Sequence, residues 1–261
     1  MVEVFLLSLL AGALGGFLAG LFGIGGGLVL VPMLAFLFSA QNFPADMGMV
    51  MAVATSLATI VITSISSIIA HHRLGSILWD KVFRLAPGIM LGASAGAMIA
   101  HFISSDGLRY IFVAFLFYVG TQMALQITPP AAELRQSVRL DVAAAIAIGM
   151  VSALLGIGGG TLMVPYLVGC RYPIRNAVAI SSACGLPIAL AGTFSYAVLG
   201  WGQAGLPNGS LGYVYMPAFF GIVLCSIVTA PLGAKLAFIL PAQQLKRYFS
   251  VLIFLVAFKM I

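Results

Sequence analysis

Charge is what this chain has least of: 7% of its 261 residues are Asp, Glu, Lys or Arg, and only 6 are acidic. A soluble domain carries roughly a quarter charged residues, so a water-facing surface cannot be covered here, and soluble enzymes and binding modules are excluded as classes. The six carboxylates, Glu3, Asp46, Asp80, Asp106, Glu133 and Asp141, all avoid the middle of the apolar runs, as do the Lys and Arg residues. Pumps driven by protons or sodium usually carry intramembrane carboxylates, so no proton relay through the protein is expected. Cysteine is scarce too. Cys170, Cys184 and Cys225 form no CxxC or Cys/His cluster, which supports neither a disulfide nor a metal site, and no cofactor is expected. The formal charge of +6 is spread singly over loops, a pattern of membrane orientation rather than a nucleic-acid footprint. Met1-Val2-Glu3 lacks the basic start of a signal peptide, so the first apolar run is expected to be retained.

What the chain does have is apolar length. Hydrophobic residues make up 62%, room for about eight segments of roughly 20 residues each. The runs cover 3–38 (broken near 23–27), 48–70, 85–103 and 108–127, then 140–170 (broken near 156–160), 175–200, 212–240 and 244–260. The expected fold is an all-α polytopic membrane protein of eight hydrophobic segments, with the lipid bilayer as its surroundings.

Those two breaks are copies of each other. Gly23-Ile24-Gly25-Gly26-Gly27 leads into Leu28-Val29-Leu30-Val31-Pro32, and Gly156-Ile157-Gly158-Gly159-Gly160 leads into Thr161-Leu162-Met163-Val164-Pro165. Ala54-Thr55-Ser56 returns as Ile180-Ser181-Ser182, and Gly96-Ala97 with Leu108-Arg109 as Gly233-Ala234 with Leu245-Lys246. The order of the anchors is kept, which predicts a first repeat over 1–127 and a second over 140–261. The polar, proline-bearing stretch around Thr128–Arg135 makes 128–139 the linker.

Basic residues set the expected topology. If each broken segment dips in and returns to its own side, Arg73, Lys81, Arg84, Arg135, Arg139, Arg171, Arg175, Lys235, Lys246 and Arg247 share one face, with only Arg109 and Lys259 opposite. If each crosses once, the basic residues divide evenly. The positive-inside rule favours the first arrangement. Each repeat is then a glycine-broken re-entrant helix pair plus three transmembrane helices. An odd number of crossings makes the two repeats inverted, with the linker cytoplasmic and both termini periplasmic.

Glycine-broken backbone inside a membrane persists only where it is buried in protein or lines a wet cavity. Such backbone can turn its amides into an anion-binding nest, and two helix N-termini aimed at one region favour an anion. The candidate site is therefore Gly25, Gly26, Gly27, Gly158, Gly159, Gly160 and Thr161, with hydroxyls from Thr55, Ser56, Ser181 and Ser182 nearby. Pro32 and Pro165 are expected in the first turn of each restarted arm. The alternative is that these glycines merely let helices pack closely, as Gly12, Gly16 and Gly20 do at four-residue spacing, and that the hydroxyls bond back to their own helix. Replacement of Gly16 by Ala is expected to be mild.

The paired glycine–Val–Pro stretches, the run Ala52-Val53-Ala54-Thr55-Ser56, the run Ala177-Val178-Ala179-Ile180-Ser181-Ser182 and the loop Leu206-Pro207 to Leu211-Gly212 carry a resemblance. Over essentially its whole length the chain resembles the sulfite exporter TauE/SafE family of bacterial membrane transporters. The resemblance implies movement of small sulfur-containing oxyanions, such as sulfite, sulfoacetate or related organosulfonates, across the cytoplasmic membrane. No motif selects one of these, and the oligomeric state is open.

Two other classes compete. Gly92-Ala93-Ser94-Ala95-Gly96 matches the Gly-x-Ser-x-Gly pattern, with His101 following, which raises an intramembrane hydrolase using Ser94. A nucleophile elbow needs a strand-to-helix turn, whereas this string lies within a long apolar helix, so Gly92 and Gly96 read as packing positions and no enzyme is expected. A non-transporting membrane scaffold is the other class. His71-His72-Arg73 at a helix end fits either proton handling or an ordinary interfacial site with basic neighbours, and Tyr118, Gln122, Tyr166 and Tyr196 within or beside apolar runs fit either a path lining or plain anchoring and packing.

Overall fold

A computed structural model describes residues 2–22, 26–125, 137–239 and 242–261 of the chain. Gly25 and most of the 128–139 linker lie outside the described residues. The described residues form ten helices and one two-stranded hairpin. The first half holds α1 (Val2–Phe22), α2 (Gly27–Ala40), α3 (Gly48–Arg73), α4 (Trp79–Phe102) and α5 (Ser105–Ala124). The second half holds α6 (Val138–Leu155), α7 (Gly160–Gly169), α8 (Ile174–Leu199), β1 (Ser210–Leu211), β2 (Val214–Tyr215), α9 (Met216–Ile239) and α10 (Ala242–Met260). Eight apolar segments become ten helices because the two glycine breaks split one segment in each half. By length and composition α3, α4, α5, α6 and α8 are each able to cross a membrane, and large apolar side chains such as Phe83, Phe102, Phe194 and Phe258 face outward, as lipid allows and water does not.

At each break the chain doubles back. The Tyr166 hydroxyl near the end of α7 donates to Asp141 near the start of α6 at 2.6 Å, and a Cβ at Gly15 in α1 would meet the side chains of Leu30 and Met33 in α2. The arms are unequal: α6 has 18 residues against 10 in α7, so about 27 Å against 15 Å.

The halves interlock. The first helix of each half packs on the fourth helix of the other, α1 on α9 and α6 on α4. Glycine makes both approaches close: a Cβ at Gly12 or Gly16 would come within 2.6 Å of the Ile222 or Ser226 Cα. At Gly92 and Gly96 it would strike the carbonyls of Ile146 and Met150. Both of these pairs run parallel, as residue numbers rise together. The third helices pack on each other the opposite way, with Leu57 of α3 against Gly192 of α8 and Ser64 against Gly185. The fifth helices, α5 and α10, are also antiparallel, since Gly120 meets Phe254 while Phe117 meets Phe258.

Side-chain bonds define the two ends of the bundle. At one, Arg175 donates to Ser76 Oγ at 3.0 Å and Asn176 to the Ser76 carbonyl at 3.0 Å, which joins the start of α8 to the α3–α4 turn. At the other, the Met49 amide donates to Ser105 Oγ at 3.2 Å, His101 and the Tyr213 hydroxyl are 3.0 Å apart, and Phe43 meets Tyr215 edge to face. Arg73, Lys81, Arg84, Arg139, Arg171 and Arg175 belong to the first end, Arg109 and Lys259 to the second.

Three expectations are corrected. The third apolar run was bounded at 85, but α4 starts at Trp79, because Lys81 is neutralised by a partner and enters the helix. Pro32 and Pro165 occupy the second turn of their arms, not the first. There a proline frees the carbonyl four residues back, that of Leu28 in one arm and Thr161 in the other. The run expected over 212–240 becomes helical only at Met216, because Ser210–Leu211 and Val214–Tyr215 pair first as the β1–β2 hairpin with Ser210 opposite Tyr215, and Gly212 turns it at φ 56°.

Candidate functional site

The two breaks have the same backbone. Gly26 (φ 70°, ψ −28°) caps α2 and Gly159 (φ 67°, ψ −17°) caps α7, a left-handed conformation that a β-branched residue resists. The Gly26 carbonyl accepts from the amides of Val29 and Leu30, and the Gly159 carbonyl from those of Leu162 and Met163. They also touch. A Cβ at Gly27 would strike the Gly156 carbonyl and come within 2.8 Å of the Ile157 Cα. The N-terminal ends of α2 and α7 are thus brought to one region, among buried residues of α3 and α8.

The candidate hydroxyls divide into two kinds. Those of the first half are already engaged: Ser56 Oγ donates to the Gly156 carbonyl at 2.9 Å, and Thr55 Oγ1 accepts from the Tyr215 amide at 3.1 Å. Ser56 therefore pins the second break to α3, across the halves. In the second half, Thr161 Oγ1 and Ser181 Oγ are buried and make no hydrogen bond with the protein, and Ser152 Oγ of α6 is in the same condition. Ser152 Oγ lies 3.9 Å from where a Cβ at Gly159 would sit. Ser181 shares a helix face with Gly185, whose added Cβ would be 3.4 Å from the Gly158 carbonyl and 2.9 Å from Ser64 Oγ. Ser182 is half-buried and lies about 100° round the helix from Ser181. Sequence reasoning missed Ser152 and Ser64. Ser152 had a readable signal in its place one helical turn before Gly156.

A charged cluster at the base of the α6–α7 hairpin was also missed. Lys81 Nζ lies 2.6 Å from Asp141 Oδ1, with side-chain exposures of 5% and 2%. Tyr166 donates to the same oxygen, Arg84 stands 3.7 Å from Oδ2, and Lys81 Nζ lies 5.2 Å from the Tyr172 ring centre. Lys81 had been read only as a marker of one membrane face, and Asp141 only as a carboxylate away from the middle of an apolar run. The signal was an acidic residue and a lysine each placed just inside an apolar helix.

The other candidates resolve into packing and anchoring. Gly92 and Gly96 face α6, and Ser94 lies in a surface groove lined by Met90, Leu91, Leu190, Ala191 and Phe194. His101, once its possible partner, is with Tyr213, whose phenol is pushed up by burial and then by Asp46 and so is neutral. His72 Nδ1 accepts from Trp79 Nε1 at 3.3 Å. Tyr196 is fully buried and donates to the Ala153 carbonyl at 3.1 Å, which holds the last turn of α6 against α8, while Tyr118 faces outward.

A sequence model described as Sulfite exporter TauE/SafE matches residues 8–260. A probable membrane transporter protein of Haemophilus influenzae is 42% identical over 261 residues, covering 100% of this chain and 99% of its own. A probable membrane transporter protein of Methanocaldococcus jannaschii is 29% identical over 228 residues, covering 87% and 81%. One of Bacillus subtilis is 26% identical over 238 residues, covering 88% and 89%. No solved structure matches.

Proposed function

The chain belongs to the sulfite exporter TauE/SafE family, and from that premise we propose that this membrane transporter moves small sulfur-containing oxyanions such as sulfite, sulfoacetate or related organosulfonates. The anion is held where the α2 and α7 arms begin, by amides near Gly26–Gly27 and Gly158–Gly160 and by hydroxyls. The observation that carries this reading is that Ser152, Thr161 and Ser181, around the start of α7, are three of the six buried hydroxyls without protein partners among the described residues. A buried polar group left unpaired costs about 1–3 kcal/mol, and one oxyanion offers enough acceptors for all three. Hydroxyls and amides suit such a ligand because they donate without placing a fixed charge in the membrane.

The repeats, 1–127 and 140–261, are related by inversion in this proposal. Antiparallel packing of α3 on α8 and of α5 on α10 supports it, since equivalent helices of a non-inverted duplication would run the same way. The end rich in Arg and Lys faces the cytoplasm and the end with the β-hairpin faces the periplasm. Inverted repeats meeting at broken helices suit alternating access around a central site.

Proteoliposomes loaded with radiolabelled sulfite should release it unchanged when they contain this protein, and retain it when they do not. Retention of sulfite, sulfoacetate and other organosulfonates alike would reject the substrate class. Chemical conversion of the label would point to an enzyme instead.

A further inference from the structure

The ion pair at the base of the α6–α7 hairpin is unevenly satisfied. Asp141 has Lys81 and Tyr166 at 2.6 Å on one oxygen and Arg84 at 3.7 Å from the other. Among the described residues Lys81 pairs with no carboxylate other than Asp141. If the ammonium swings away, the carboxylate keeps a hydroxyl donor and a guanidinium. The ammonium, 5% exposed, then needs a replacement anion, because a lone buried charge is strongly disfavoured.

The pair also lies on the way to the breaks. Tyr166 is six residues beyond Gly160, about 9 Å along the helix axis, so the cluster sits between the start of α7 and the basic end of the bundle.

We propose that Lys81 is a specificity-determining residue of the transport path: its ammonium passes from Asp141 to an oxyanion moving between the breaks and the basic end. Asp141 stands in for the substrate when the path is empty. The inference rests on the anion-transport reading above. A lysine ammonium is a compact point charge without the planar fork of arginine, so it would select for negative charge while leaving the shape of the anion to the hydroxyls and amides. Holding the cation as a neutral pair between passages keeps the burial of charge tolerable and repels no incoming anion from a bare carboxylate.

The test is uptake of radiolabelled sulfite into proteoliposomes across a range of concentrations, with Lys81→Gln, Asp141→Asn and the double variant, whose neutral amide pair preserves the fold if the single changes do not. Lys81→Gln and the double variant should raise the half-saturating concentration about tenfold or more, the loss expected for one charge-assisted hydrogen bond. Asp141→Asn should lower it, because the internal competitor is gone, and should slow turnover, because nothing takes the ammonium back. Half-saturation at the parent value in Lys81→Gln, or in the double variant where only that protein folds, would overturn the inference and leave the transport reading intact. Failure of the parent protein to move the anion would overturn both.

Discussion

Gly159 combines two demands that no other residue type meets. Its φ of 67° lies in the left-handed region, and a side chain there would meet the Ile188 Cδ1 at 2.6 Å and turn toward Ser152. Gly159→Val is expected to abolish sulfite release from proteoliposomes while the protein still inserts and purifies as the parent does. A variant that folds and transports at the parent rate would remove the glycine breaks from the proposed site. The helix break at Gly159 was legible in the sequence because three consecutive glycines, repeated, are poorly suited to the interior of an apolar helix. Lys81 and Asp141 were not. They are 60 residues apart, and nothing in either local sequence says which carboxylate a buried lysine meets. Nor did the matching positions Thr55, Ser56, Ser181 and Ser182 disclose that the first pair is bonded while Ser181 has no protein partner, since that difference arises from which backbone each helix faces.

Helix crossings hold the elements together, and here one sequence expectation is reversed. Gly16 was read correctly as a packing position, but replacement by Ala was expected to be mild. A Cβ would come within 2.6 Å of both the Ser226 Cα and the Thr229 hydroxyl, and backbone cannot move aside as a flexible side chain can. Gly16→Ala should therefore force α1 away from α9, at the about 1–3 kcal/mol typical of overpacking. A clear fall in thermal midpoint of the detergent-solubilised protein would register it, and an unchanged midpoint would mean that the crossing is looser than described. Helix number and rough position were readable because runs of about 20 apolar residues leave few alternatives. The start of α4 was not, because charge marks the end of a run only when it is unpaired. The β1–β2 hairpin, two residues per strand, is too short to leave a periodicity. It is fixed instead by contacts with distant helices, the Tyr213 amide on the Tyr196 carbonyl and the Tyr215 amide on Thr55.

For the molecule as a whole, sidedness is the testable quantity. Cysteines placed singly at Asn208, beside the hairpin, and at Gln136, in the linker outside the described residues, should label from opposite sides of the membrane with an impermeant thiol reagent. Labelling from the same side would end the inverted arrangement. The proposed duplication rests on matched anchors in the sequence, and the grouping of basic residues at one end agrees with where the described helices put them. The exchange of first helices between halves was invisible, because it depends on which glycine faces which backbone. That exchange also bears on biosynthesis. The glycine face of α1 finds its partner in α9, some two hundred residues later, and at about 5–20 residues per second of synthesis it waits on the order of ten to forty seconds. Until then Gly12 and Gly16 face lipid or a chaperoning partner. A ribosome that stops before α9 releases a chain whose earliest helix has α2 to pack on but leaves its Gly12–Gly16 face uncovered.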